Sequence, residues 1–210
     1  MRRRLLIFAK APRLGQVKRR LAAEIGVVAA WRFQREALAT ALGRLACDPR
    51  WCCTLFVTPD RFAAGGRLSP PSIARAPQGG GDLGARMMRA FRAEAGGPAV
   101  LVGSDIPELR AEHVARAFAL LGSHDAVFGP AWDGGYWLVG LRNPGRHPGL
   151  FRGVRWSGPH ARADTAANLG RRHRVAYLDL LEDIDDAAAY ARWRARVRNA
   201  HSPGVPGVGA

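Results

Sequence analysis

Apolar residues in this chain cluster into short runs of strand length, separated by longer stretches with helical spacing. Leu5-Leu6-Ile7-Phe8-Ala9 is apolar at every position and is closed by Lys10 and Pro12. Cys53–Val57, Ala99–Val102, Asp125–Phe128 and Tyr136–Val139 repeat the pattern, and Arg174–Leu178 reads as one more strand. Runs without a polar alternate suit strands covered on both faces. Between them, residues 18–45 are spaced as a helix with a break near Gly26. Asp82 is placed to cap a helix reaching about Glu94, and Pro107 suits the first turn of one reaching about Leu121. Ala161–Leu169 and Asp186–Val197 complete the helices. Phe62–Gly81 reads as a loop rich in Gly and Pro, and 201–210 as a disordered tail.

Strands alternating with helices predict an α/β fold: one domain over residues 1–200, a mostly parallel central sheet, and helices on its faces. Such sheets bind ligands outside the carboxyl ends of their strands. Three polar segments fall at such ends, namely 10–18, 103–107 and 129–135. No internal repeat interrupts this pattern.

Composition sharpens one of these segments. The chain has thirty arginines and two lysines, and both lysines, Lys10 and Lys18, lie in the loop after the first strand. Elsewhere the cations have drifted to arginine, as a GC-rich coding bias produces. A compact ammonium set against a phosphate is not easily exchanged for a planar fork. The formal charge of +15 invites a nucleic-acid partner. The arginines are scattered, however, with no basic run longer than Arg2-Arg3-Arg4 and no nucleic-acid motif, so a phosphorylated small molecule fits better. Three cysteines, Cys47, Cys52 and Cys53, give neither a disulfide framework nor metal spacing, and a reducing cytoplasm is the simplest setting. The opening apolar run is too short for a signal peptide, and no stretch approaches a membrane span.

The candidate chemistry lies in five segments, each with a plainer alternative. Lys10, Gly15, Lys18 and Arg20 bracket the start of a helix, where backbone amides and cations make a phosphate cradle; the alternative, a solvated basic helix start, opposes the helix dipole. Asp105, at the end of a buried strand, suits Mg²⁺ or Mn²⁺, or else caps the helix that follows. Asp133-Gly134-Gly135 lets backbone approach a ligand closely, with Trp132, Tyr136 and Trp137 as a wall for a base or sugar, or else is only a turn. Asp183 and Asp185 would complete a metal site, although Asp185 or Asp186 equally suits an N-cap. Gln78, Asp82 and Arg86 frame a glycine loop able to close over a base or phosphate, or else are a glycine linker and a capped helix.

Together these motifs, F-A-K-A-P-x-x-G-x-V-K-x-R-L, Q-G-G-G-D-L-G-A-R-M, G-S-D-I-P, G-P-A-x-D-G-G-Y-W-L-V-G-L and D-I-D, resemble a bacterial family of GT-A-like proteins. That family is labelled "transferase 1, radical-SAM/selenodomain-associated", within the nucleotide-diphospho-sugar transferase superfamily. It is distantly similar to the phospholactate and molybdenum-cofactor guanylyltransferases. The resemblance spans residue 5 to about 190. It implies that Lys10, Lys18 and Arg20 bind nucleotide phosphates and that Asp105 takes the metal-binding position. It also implies that Asp133 with Gly134 and Gly135 faces the acceptor or metal, and that Asp183 or Asp185 is a second metal carboxylate. Two positions depart from the family pattern: Arg19 stands where K-T-R-L has its hydroxyl, and Gly158 where W-S-T does.

The expectation is a cytoplasmic, Mg²⁺- or Mn²⁺-dependent transferase. It would move a nucleotidyl group from an NTP, or a glycosyl group from an NDP-sugar, to a small-molecule acceptor. Lys18, Asp105 and Asp133 would carry the chemistry. The loop cations favour the first reaction, and the aromatic wall favours the second. The alternative is a non-catalytic nucleotide- or RNA-binding protein on a degenerate transferase fold.

Overall fold

The computed structural model describes residues 2–64 and 68–201. Its strands are β1 (Arg4–Lys10), β2 (Cys52–Thr58), β3 (Ala74–Pro77), β4 (Ala99–Gly103), β5 (Ala126–Pro130), β6 (Tyr136–Leu141) and β7 (Val175–Tyr177). They form one sheet in the order β3-β2-β1-β4-β6-β5-β7. All neighbours run parallel except those of β6, which is antiparallel to both β4 and β5. The helices are α1 (Arg19–Ile25), α2 (Val27–Leu45), α3 (Arg61–Ala64), α4 (Leu83–Ala93), α5 (Ala111–Leu120), α6 (Ala161–Leu169) and α7 (Ala187–His201).

The continuous apolar runs are strands because both sheet faces are covered. Leu5 and Ile7 point to one face, where Leu38 and Leu42 of α2 and Val114 and Phe118 of α5 meet them. Leu6 points to the other, against Met87 and Phe91 of α4 and Leu169 of α6. A third cluster sets Leu21 of α1 and Phe33 of α2 against Ile184 and Ala189, so α1 and α7 pack outside α2. This is the expected α/β domain with helices on both faces.

Two features differ from expectation. The glycine-rich loop contains an edge strand, β3, whose Ala-Arg-Ala-Pro sequence carries no strand-forming residue and is held by pairing to β2. The helix expected from Pro107 begins at Ala111. The Arg44 guanidinium donates to the carbonyls of Pro107 (2.6 Å) and Leu109 (3.1 Å), groups that a helix would have used itself. The strand after the Gly134-Gly135 turn, β6, enters the sheet between β4 and β5. Of the expected tail, His201 ends α7, and 202–210 lie outside the described residues, as do 65–67 of the loop.

Candidate active site

Lys18 sits at the N-cap of α1 in the left-handed region (φ 46°, ψ 51°) and makes no side-chain cap. For a non-glycine residue this costs about 1–2 kcal/mol, which its side chain offsets elsewhere. The ammonium donates to Asp105 Oδ2 at 2.6 Å and to Asp185 Oδ1 at 2.5 Å, with only 6% of the side chain exposed. Burial would lower the Lys18 pKa, but the two carboxylates outweigh it and hold the ammonium well above the usual lysine range. Burial likewise pushes the Asp105 carboxyl up, and the Lys18 charge and hydrogen bond hold it below its ordinary value.

Asp105 follows β4 by two residues. Asp185 arrives from the far end of the chain, by a path built from alternation. After β7 the chain crosses to Ala131, which it meets through a bridge to Leu181, and Ile184 N–H donates to the Asp105 carbonyl at 3.4 Å. Ile184 is fully buried, so Asp183 and Asp185 on either side of it face outward toward the site. Glu182 anchors this segment from behind. It is 4% exposed and accepts from Arg192 (2.8 Å) and Arg196 (3.0 Å) of α7. Burial would raise its pKa, and the two arginines bring it below the usual carboxylate range. The N-cap role belongs to Asp186, which accepts from Ala189 N at 2.8 Å and leaves Asp185 for Lys18.

Asp105 and Asp185 stand between two openings. The larger is a cleft of about 510 Å³ whose walls include Arg20, Asp133, Tyr136, Trp156 and Asp183. The smaller, about 230 Å³, is lined by Lys10 and Lys18 among others. Asp133 projects from the β5–β6 turn. One of its oxygens accepts from Gly135 N at 2.8 Å. Gly134 has φ +83°, and a Cβ there would lie 2.5 Å from the Pro159 backbone, so only glycine closes this turn against the cleft wall.

Not every expected residue reaches this edge. Gly15 lies in the exposed loop with φ +71°. Gln78 is buried: its amide donates to the carbonyls of Ala9 (3.1 Å) and Phe56 (3.0 Å), and its oxygen accepts from Arg86 at 3.1 Å. Asp82 caps α4 by accepting from Ala85 N at 2.7 Å. Gln78, Asp82 and Arg86 thus brace the ends of β1, β2 and α4 and line neither opening. The aromatic wall is also rearranged. Trp132 is 64% exposed and lines neither opening, while Trp137 is 3% exposed with its indole donating to the Asp179 carbonyl. Tyr136 and Trp137 keep their places on the larger opening, and Trp156 joins them.

Two lining residues have no counterpart in the expected set. Gln34 and Ser104, each 4% exposed, face the smaller cavity. A glutamine on the buried stripe of α2 between Ala30 and Leu38 was the available signal.

The carboxylates suit a divalent cation. Burial first, and then the neighbouring Asp185, Asp105 and Asp133, push the Asp183 carboxyl up to about 6. Among the described residues no three His, Cys, Asp or Glu side chains are grouped closely enough to hold a metal by themselves. A cation here would take one or two carboxylates and complete its shell with water and substrate phosphates, as Mg²⁺ commonly does.

Residues 39–158 match the family described as "Uncharacterized protein conserved in bacteria (DUF2064)". The chain belongs to this family. No curated protein matches it in sequence. Among solved structures, this DUF2064 chain is similar to a candidate nucleotide-diphospho-sugar transferase from Desulfovibrio desulfuricans, with 31% identity over 96% of this chain and 90% of that one and a TM-score of 0.85. More distant likenesses share the fold. The 4-diphosphocytidyl-2C-methyl-D-erythritol synthase of Anaerococcus prevotii has a TM-score of 0.66 at 9% identity, covering 94% of this chain and 96% of its own. A cytidylyltransferase from Leptospira borgpetersenii has 0.62 at 13%, covering 96% and 89%. The DUF2064 chain therefore has the GT-A-like fold of the nucleotide-diphospho-sugar transferase superfamily. Among the described residues no helix is long and apolar enough to cross a membrane.

Proposed function

We propose that this protein is a cytoplasmic, divalent-metal-dependent nucleotidyltransferase that moves a nucleoside monophosphate from an NTP to the hydroxyl of a small acceptor. The observation that carries this reading is the meeting of cations and carboxylates at one sheet edge. Lys10, Lys18 and Arg20 stand beside Asp105, Asp183 and Asp185 across two adjoining openings. A leaving pyrophosphate needs several fixed positive groups, and Lys10, Lys18 and Arg20 would supply them, while Tyr136, Trp137 and Trp156 on the larger opening would serve as a wall for the donor's base.

Asp105 with one of Asp183 and Asp185 would hold Mg²⁺ or Mn²⁺, which when bound neutralises charge on phosphate oxygens. Lys18 and Arg20 stabilise the charge that develops as the donor reacts. Asp133, with one oxygen fixed by Gly135 N and the other open to the cleft, orients the acceptor hydroxyl and takes its proton. The hydroxyl oxygen bonds to the α-phosphorus, the α–β bridging bond breaks, and the pyrophosphate leaves with that electron pair.

The test is calorimetric titration with the four common NTPs and with NDP-sugars, each with and without Mg²⁺ or Mn²⁺, followed by a pyrophosphate-release assay. Metal-dependent preference for one NTP supports the reading and names the base. Preference for an NDP-sugar replaces it with glycosyl transfer. Binding that needs no metal and falls steeply with salt replaces it with a non-catalytic binder.

A further inference from the structure

The smaller cavity holds polar groups that folding leaves unused. Gln34 of α2 and Ser104 at the end of β4 are each 4% exposed. Neither side chain has a hydrogen-bond partner among the described residues. Nor are their polar atoms sealed in packed protein: the sealed, unpartnered side-chain atoms are Ser69 Oγ and Trp156 Nε1. Both residues open on the cavity of about 230 Å³ that Lys10 and Lys18 also line. Buried polar groups are nearly always paired, so two uncommitted ones on a single cavity mark a place for a ligand.

The chemistry of that ligand follows from the donors. Gln34 offers an amide NH₂, Ser104 a hydroxyl, and the lysines two ammonium groups. Every one can donate to oxygen, and two carry positive charge. The carboxylates at the rim, Asp105 and Asp185, are already engaged by Lys18. They also line the larger cleft, so a ligand in the smaller cavity would be continuous with one in the larger.

We propose that this cavity receives the β- and γ-phosphates of the donor, and that Gln34 and Ser104 hold the departing pyrophosphate by donating to its oxygens. The assignment rests on the nucleotidyl-transfer reading above. It leaves the α-phosphorus at the Asp105–Asp185 junction, within reach of an acceptor in the larger cleft.

The experiment is calorimetric titration of the full chain with inorganic pyrophosphate in constant excess Mg²⁺. The NTP that binds best and its monophosphate are titrated in parallel. Gln34→Glu keeps the size of the side chain and sets a carboxylate against the anion, and Ser104→Ala removes one donor. Hydrogen bonds to a charged partner predict a loss of about tenfold or more in pyrophosphate and NTP affinity for each variant, with monophosphate affinity unchanged. Circular dichroism confirms that each variant folds, and Gln34→Leu replaces any that does not. If folded variants bind pyrophosphate within about twofold of wild type while the NTP still binds, the assignment is overturned and nucleotidyl transfer stands. Equal loss of monophosphate binding also overturns it, because the residues then only shape the site. If wild type binds NDP-sugars and no NTP, the assignment and the reading beneath it fall together.

Discussion

Replacing Lys18 by methionine keeps the length of the side chain and removes its charge. In the protein that charge lies 2.6 Å from Asp105 and 2.5 Å from Asp185, on a side chain only 6% exposed. Taking one partner from a fully buried ion pair costs about 3–5 kcal/mol. The two aspartate side chains are 33% and 55% exposed, so water screens part of their repulsion. The expected loss is therefore about 2–3 kcal/mol. For a chain of this size that corresponds to a fall in Tm of roughly 4–12 °C.

The dependence on pH has a definite sign. Asp105 titrates below its ordinary value of 3.8, so its share of the bridge is present above that value and lost as pH falls through the folded one. Lys18 titrates above its ordinary 10.5, so its share persists below that value and fades only at higher pH. The gap between wild type and Lys18→Met should be full at neutral pH and should close in acid. Thermal melts in chelator across pH measure it. Added Mg²⁺ should recover part of the loss in the variant, whose carboxylates are free to take it. A variant melting within about 1 °C of wild type at neutral pH would refute the reasoning.

Asp183 gives the opposite sign. Its carboxyl is pushed up to about 6, so in chelator it costs stability once ionised. Asp183→Asn should melt above wild type near neutral pH and lose that advantage as pH falls from about 6 to the ordinary value of 3.8; melts showing no gain at neutral pH would contradict this. Gly134→Ala sets a methyl 2.5 Å from the Pro159 backbone at φ +83°, and should cost about 2–4 kcal/mol in urea denaturation. Gly80→Ala, where a Cβ meets nothing within 4 Å, is the control and should change stability by less than about 0.5 kcal/mol.

The buried strands were legible because covered strands are apolar at every position, and β1, β2, β4, β5 and β6 announce themselves this way. The edge strand β3 does not, since Ala-Arg-Ala-Pro pairs along its backbone and needs no side-chain signal. The start of α5 was misplaced for a related reason: Arg44, more than sixty residues upstream, takes the carbonyls that a helix from Pro107 would have used. In the site, the two lysines were visible as the exceptions in an arginine-rich chain, and the structure puts both against one cavity. Asp183-Ile184-Asp185 could be read as a pair of outward carboxylates, but which aspartate caps α7 depends on a single bond from Ala189. Gln78 resembled a ligand contact because a buried glutamine bonded to two strands has no local signature. Gln34 and Ser104 were missed because their cavity exists only after α2, β1 and β4 are assembled.

The reversed direction of β6 has a consequence for how such a protein could diversify. A parallel crossover returns to the same sheet edge only by way of a helix packed on the core. A change in its length therefore disturbs that packing. The β5–β6 connection leaves the site edge and re-enters it within the five residues 131–135, and its two strands are held in the sheet by β7 on one side and β4 on the other. It is a hairpin tip inserted into an otherwise crossover-built edge, carrying Asp133 at its apex. Residues can be added to or removed from that tip ahead of Gly134, whose carbonyl accepts from Arg162 N at 3.3 Å and ties the rest of the tip to the start of α6. On the proposed reading, acceptor preference would change by insertion there while Lys10, Lys18 and the remaining aspartates stay in place.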